Sequence, residues 1–376
     1  MANNRYLPKV TSVLYQDVIK KIFFGIQPEK IHNVMVGFGE QLGKSEIIRN
    51  YFSSQFVIKD KSLQQKISGL NFQNPVGLAA GFDYEARLTQ ILPSIGFGFE
   101  TVGTITNMPY GGNPSPMLGR LPKSKSLMVN KGFKNLGAKV TIEKLSGYSF
   151  RIPLGISIGS TNSKKIISQK DGISDIDKAF IQFEKSRLNH SYYELNISCP
   201  NLFTKITFYP PKNLRELLIE IDKLNLTRPV FVKMPIEKSD REILEMLKEI
   251  SRHKITGVIF GNLQKDRSNK NLVPSEVRKF KVGNFSGKPT FDRSNELIKL
   301  AYKNYKGRFV IIGCGGIFSA EDAYKKIRLG ASLVQLITGM IFNGPQLIFE
   351  INSGLLSLLK RDGFTNINKA IGKDVK

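Results

Sequence analysis

Eight short apolar runs recur along the chain, and they limit the fold more than any other feature. They are NPVGLAA, FETVGTI, PLGISIG, YYELNIS, PVFVKMP, TGVIFGN, RFVIIGC and SLVQLIT, beginning at residues 74, 99, 153, 192, 229, 256, 308 and 332. Amphipathic stretches such as SDREILEMLKEISRH and SAEDAYKKIRLG separate most of them. Runs apolar on both faces, alternating with helices, are the pattern of buried parallel strands. Eight such units over roughly 290 residues predict an α/β fold, a (β/α)8 TIM barrel over residues 66–376. A doubly wound open sheet is the competing arrangement. The 376 residues allow one such barrel with an appendage, and 41% hydrophobic residues are enough to fill its core.

Residues 1–65 read differently. Val10, Val13, Leu14, Val18, Ile22 and Phe23 fall at helical spacing with lysines beside them. The pattern predicts a two-helix extension joined near Gln27, with Pro28 suited to a helix start. Two readings stay open: a helical hairpin packed on the barrel, or an in-plane membrane anchor with lysines at the headgroups. The start lacks the apolar core of a signal peptide, and no run of ~18 apolar residues occurs.

The formal net charge is +25, which favours anionic partners. No block of like charge concentrates it, so a lysine-rich surface explains it without a nucleic-acid partner. Cys199 and Cys314 make no disulfide framework, and His32, His190 and His253 are too scattered to suggest a metal site.

Barrel enzymes place their chemistry at the C-terminal ends of the strands. Gly81, Thr104, Gly159, Cys199, Lys233, Asn262, Gly315 and Thr338 fall there. GCGGIFSAEDA and TGMIFNGP follow the seventh and eighth runs, where glycines can close backbone N–H groups on a phosphate and Ser319 can cap the next helix. Tight turns use glycine without any phosphate. Lys233, inside an apolar strand, is either a lysine reaching solvent or a cation for a negatively charged cofactor. Asn196, Asn201 and Asn262 either cap loops or match the alternating donors and acceptors of a ring. Cys199 is either a small buried hydrophobe or a general base whose thiol pKa, ordinarily ~8.5, needs only modest lowering.

NPVGLAAGFD, GFGFETVGTIT, YYELNISCPN, VFVKMP, FSGKP, IIGCGGI and GASLVQLITGMIFNGP occur here in the order found in one family. Through them the chain resembles the dihydroorotate dehydrogenases, FMN-dependent (β/α)8 barrels of pyrimidine synthesis. IQPEKIHN and the N-terminal helices resemble the membrane-associated, quinone-reducing class, in which two helices form the quinone's tunnel. The resemblance implies FMN at Ala79, Ala80, Gly81, Thr104, Lys233, Gly287, Gly315, Gly316, Thr338 and Gly339. It implies substrate contacts at Asn130, Lys131, Phe133, Asn196, Asn201 and Asn262, the base at Cys199, and tunnel residues at His32 and Arg120. It also implies a peripheral protein at the cytoplasmic face of a membrane.

Three departures stand out. The quinone-linked class has serine where this chain has Cys199, and cysteine is the habit of the soluble class. The family's lysine after AAGFD is Tyr84 here. The loop MVNKGFKNLG is one residue shorter than the family's, which moves Lys131 toward the substrate carboxylate. The alternatives are a flavin oxidoreductase for a neutral pyrimidine and a flavin-binding membrane protein without turnover. RNA dihydrouridine synthesis is disfavoured because no RNA-binding domain or clustered basic patch is visible.

Overall fold

The computed structural model describes residues 5–203 and 206–376, so the first four residues of the predicted extension lie outside it. The eight apolar runs form eight parallel strands: Val76–Leu78, Phe99–Ile105, Leu154–Ile158, Tyr192–Asn196, Val230–Met234, Gly257–Phe260, Val310–Cys314 and Leu333–Leu336. Each pairs with the next, and the eighth pairs with the first through Val334 and Val76. That last pairing closes the barrel and excludes the open sheet. In six of the eight runs the last residues leave the ladder to build the loops of the upper rim.

The helices between strands follow from patterning and caps. Asp240–Ile250 buries Ile243, Met246, Leu247 and Ile250, the i, i+3, i+4, i+7 stripe of a helix lying on a core. Ser239 and Glu242 form a capping box at its start. Ser319 accepts from the Asp322 N–H and caps Ala320–Arg328, as its sequence position predicts. A hairpin of Gln65–Ile67 and Leu70–Phe72 plugs the barrel floor, where Phe72 meets Phe99 edge-on at 5.5 Å.

The extension has three helical segments rather than two. Residues 6–25 are helical with a π turn at Tyr15–Ile19, followed by Pro28–Lys44 and Glu46–Phe56. Ser45 ends the second and caps the third by accepting from the Ile48 N–H. Glu29 Oε1 accepts from the N–H groups of Met117 and Leu118, Tyr15 donates to Ile341 O, and Arg87 pairs with Glu40. Phe56, Ile58 and Leu63 enter the main hydrophobic core.

The predicted apolar stripe does not pack on the barrel. Val10, Val13, Leu14, Val18 and Ile22 are exposed. Twelve of the twenty exposed large hydrophobics among the described residues lie between Tyr6 and Tyr51, so the exposure is a feature of this extension. No described helix is long and apolar enough to cross a membrane. Between extension and barrel mouth sits a small antiparallel sheet of Leu118–Leu121, Ser126–Val129 and Asn284–Phe285.

Candidate active site

Two cavities meet above the C-terminal ends of the strands. The inner one, about 510 Å³, is lined by Ala79, Gly287, Gly315, Gly316 and Gly339. The outer one, about 890 Å³, is lined by Gly81, Thr104, Phe133, Cys199 and the amides of Asn196 and Asn201. Ala80, Lys233, Asn262, Ser286 and Thr338 line both. The candidate cofactor residues therefore share one continuous space of ligand size. Gly315 and Gly316 have φ of +97° and +72°, a conformation that only glycine holds without strain. A Cβ added at Gly81 would come no nearer than 3.8 Å to any side chain, so the backbone there leaves room for a flat group.

Lys233 stands where the cavities join. It is 5% exposed, yet no described residue gives it a hydrogen bond or ion pair. A buried cation without a partner is costly, and its position asks for an anion or acceptor from a ligand. Its ammonium thus faces the shared cavity and not the outer surface.

The three asparagines keep part of their capacity inside the protein. Asn196 donates to Thr104 Oγ1 at 2.8 Å, Asn201 to Val129 O at 3.0 Å, and Asn262 to Ser198 O at 2.8 Å. These bonds fix the amide planes against the cavity wall. Behind them stand asparagines that the sequence patterns did not single out. Asn284 donates to Asn201 Oδ1, and Asn113 links Asn130 Oδ1 to Asn201 O. Asn162 joins the same lattice through Asn113 Oδ1. Asn130 joins this wall through Asn113 and stands between Val129 and Lys131 of the cavity lining. Only the density of asparagine in the loops hinted at Asn113, Asn162 and Asn284.

Cys199 faces the cavity, but its thiol is not poised for ionisation. Burial pushes its pKa up to about 11, against the lowering effects of the Asn201 N–H, Lys233 and Lys265. The modest lowering that a base would need is not found here, because loss of water outweighs two nearby cations.

Tyr84, Lys131 and His32 form one cluster at the outer end. Lys131 Nζ lies 3.8 Å from the Tyr84 ring centre, and the His32 ring stacks on Tyr84 at 5.2 Å. Burial, reinforced by Lys134, brings Lys131 down to about 7. Burial, reinforced by Lys131, Lys134 and Arg87, drives His32 down to about 2, so its imidazole is neutral. Phe82, Leu118, Leu127, Val129 and Ile341 make the wall around this end apolar. Arg120 does not line the cavity. It donates to Phe24 O and Ile26 O and lies 4.9 Å from the Phe24 ring centre, which ties the first helix to the small sheet. Phe133, with φ of +65°, sits in a conformation unusual for a bulky residue and presents its ring beside Gly159.

The described residues contain no group of three or more His, Cys, Asp or Glu side chains placed to hold a metal.

Comparison with known proteins agrees with this architecture. The family model described as dihydroorotate dehydrogenase matches residues 62–359. The dihydroorotate dehydrogenase (quinone) of Sulfurovum sp. is 34% identical over 362 residues, 96% of this chain and 98% of that protein. That of Christiangramia forsetii is 34% identical over 348 residues, 91% of this chain and 99% of that protein. Among solved structures, ligand-free DHODH from Eimeria tenella superposes with a TM-score of 0.81 at 27% identity, covering 92% of this chain and 99% of that one. The ferulenol complex from the same organism gives 0.79 at 28% identity, covering 92% and 95%. The chain belongs to the dihydroorotate dehydrogenase family.

Proposed function

We propose that this chain oxidises dihydroorotate to orotate, with FMN as its flavin and a quinone as the final electron acceptor. The observation that carries the reading is Lys233, a buried residue whose cation has no partner among the described residues, set between a glycine-lined cavity and a cavity walled by three amides. The glycine positions fit a phosphate, Lys233 fits the electron-rich edge of a flavin ring, and the amides fit a pyrimidine. Ala79, Ala80, Gly81 and Thr104 would run along the ring. Gly287, Gly315, Gly316, Thr338 and Gly339 would surround the phosphate.

When bound, the flavin supplies the acceptor for the hydride leaving C6 of the substrate and hands the electrons on to the quinone. Cys199 takes the proton from C5. Asn196, Asn201 and Asn262 hold the ring's amide groups, so the proton and the base meet in one geometry. Phe133 closes the side of the pocket. Membrane association is supported by the exposed apolar stripe of the extension, and quinone access by the apolar wall around His32. The extension, roughly residues 1–65, is the membrane-facing unit, and residues 66–376 carry the flavin.

Lys131 supplies the positive charge that Tyr84 does not. Held at about 7 by burial, it is only part charged near neutrality, and an arriving carboxylate would draw it to the charged form. The same weak charge favours a second reading, a neutral dihydropyrimidine as substrate. Anaerobic stopped-flow bleaching of the flavin decides between them. Dihydroorotate should bleach it, and Lys131→Ala should raise the KM for dihydroorotate about tenfold or more. Bleaching by a neutral ring with dihydroorotate inert would leave the flavin barrel and remove the proposed substrate.

A further inference from the structure

We propose that Lys326 positions the loop that receives the flavin's phosphate, acting through Ser294 on the peptide between Cys314 and Gly315. This rests on the flavin reading of the site and adds a residue outside the cavity lining. Lys326 belongs to the helix Ala320–Arg328 and its side chain is fully buried. Its Nζ donates to Ser294 Oγ at 2.9 Å and to Asn295 Oδ1 at 3.0 Å. It lies 5.0 Å from the centre of the Phe291 ring. No described carboxylate forms an ion pair with it.

Ser294 passes this contact to the loop. Its Oγ is 2.6 Å from Cys314 O and 3.2 Å from Phe260 O. Because Lys326 donates to that oxygen, the hydroxyl's single proton is free for the shorter contact, to Cys314 O. The C=O and N–H of a trans peptide point in opposite directions. Holding Cys314 O against Ser294 therefore turns the Gly315 N–H the other way, toward the eighth strand where Cys314 pairs with Gln335, and fixes the peptide that opens the Gly315–Gly316 turn on the cavity wall. The chain from ammonium to hydroxyl to carbonyl anchors that turn from behind.

Two glycines seat this arrangement. A Cβ at Gly313 would stand 3.1 Å from Lys326 Cδ, so the strand makes room for the lysine stem. A Cβ at Gly316 would stand 2.5 Å from Phe291 Cβ, so the loop rests on the residue that covers the ammonium.

Burial brings Lys326 down to about 7, with Cys314, Asp322 and Asp292 raising it and Lys288 lowering it. The other ionisable groups around it are already engaged. Asp322 accepts from the Phe318 N–H, and Asp292 pairs with Lys270. Lys288 lies over Phe291, and burial pushes the Cys314 thiol up. A phosphate in the cavity supplies the counter-charge that Lys326 lacks, so its binding draws a proton onto Lys326 above neutral pH.

FMN and riboflavin share a ring and differ in the phosphate, so comparing them isolates the effect. The full chain is loaded with either flavin and diluted, and the flavin fluorescence released gives each Kd. Lys326→Met should weaken FMN about tenfold or more and leave riboflavin within about twofold. Ser294→Ala should act in the same direction. The wild-type preference for FMN over riboflavin should fall between about pH 7 and 9.5, and Lys326→Met should remove that fall. Equal losses for both flavins, or none for FMN, overturn the proposal. If Lys326→Met does not fold, Ser294→Ala and the wild-type pH series decide, and a flat preference overturns it. If neither flavin binds the wild type, the flavin reading falls with it.

Discussion

Cys199 is the residue on which the proposed chemistry turns, and its surroundings oppose that chemistry at neutral pH. A thiol held at about 11 keeps its proton at pH 7, and only the thiolate can accept another. Flavin reduction by dihydroorotate should therefore quicken with pH, by about tenfold per unit between 7 and 9, if proton removal limits it. Cys199→Ala should keep its flavin, lose about 10²–10⁴-fold in reduction rate, and show no such slope. Stopped-flow bleaching of wild type and variant over this range checks both statements. An alanine variant with unchanged kinetics removes Cys199 from the base position. The sequence made this residue visible because a cysteine at a strand end, between amides, is conspicuous. It did not reveal the direction of the pKa shift. That direction depends on how completely the loops exclude water, which is a tertiary property.

The helical extension was partly legible. Its apolar period predicted helices and an exposed or packed stripe without choosing between them, because helix periodicity does not say what the stripe faces. The third segment went unread, although Ser45 three residues before Ile48 is an N-cap spacing. The small sheet was also missed, since strands of two to four residues carry too little pattern. Deleting residues 1–65 would take Phe56, Ile58 and Leu63 out of the core, so surface substitutions test the membrane role more cleanly. Ile22 and Phe38 are each 57% exposed. Burying such a side chain contributes about 1.5–3 kcal/mol. The double variant Ile22→Glu, Phe38→Glu should bind vesicles of anionic lipid at least about tenfold more weakly while dihydroorotate bleaches its flavin normally. Equal co-sedimentation of variant and wild type would place the membrane contact elsewhere.

At the scale of the whole molecule, the closed barrel buries ionisable groups that couple its stability to pH. The barrel itself was the most legible feature, because eight doubly apolar runs have few other places to go. The buried charges were not, since burial of a particular His or Glu depends on which loops cover it. His190 shows the consequence. Its ring packs 4.6 Å from Tyr193 and 5.8 Å from Phe183, its Nδ1 meets Leu188 O, and its Nε2 is buried without a hydrogen-bond partner among the described residues. Burial, helped by Arg228 and opposed by Glu184 and the Leu188 carbonyl, drives its pKa down to about 3. The unfolded chain takes up a proton here below ~6.5, and the folded chain does not until far lower pH. Stability is thus lost as pH falls from about 6.5, by roughly 2 kcal/mol at pH 5. Glu100 acts in the other direction: its burial raises its pKa, so the folded state holds a proton that the unfolded state releases, and stability falls as pH rises. Comparing wild type with His190→Phe cancels that contribution, because both carry Glu100. The variant keeps an aromatic ring against Tyr193 and removes the proton sink. Its unfolding free energy, from denaturant titration, should fall less than that of wild type between pH 7 and 5, by about 2 kcal/mol. Parallel pH profiles would mean that the imidazole reaches solvent and is not the source of the acid sensitivity.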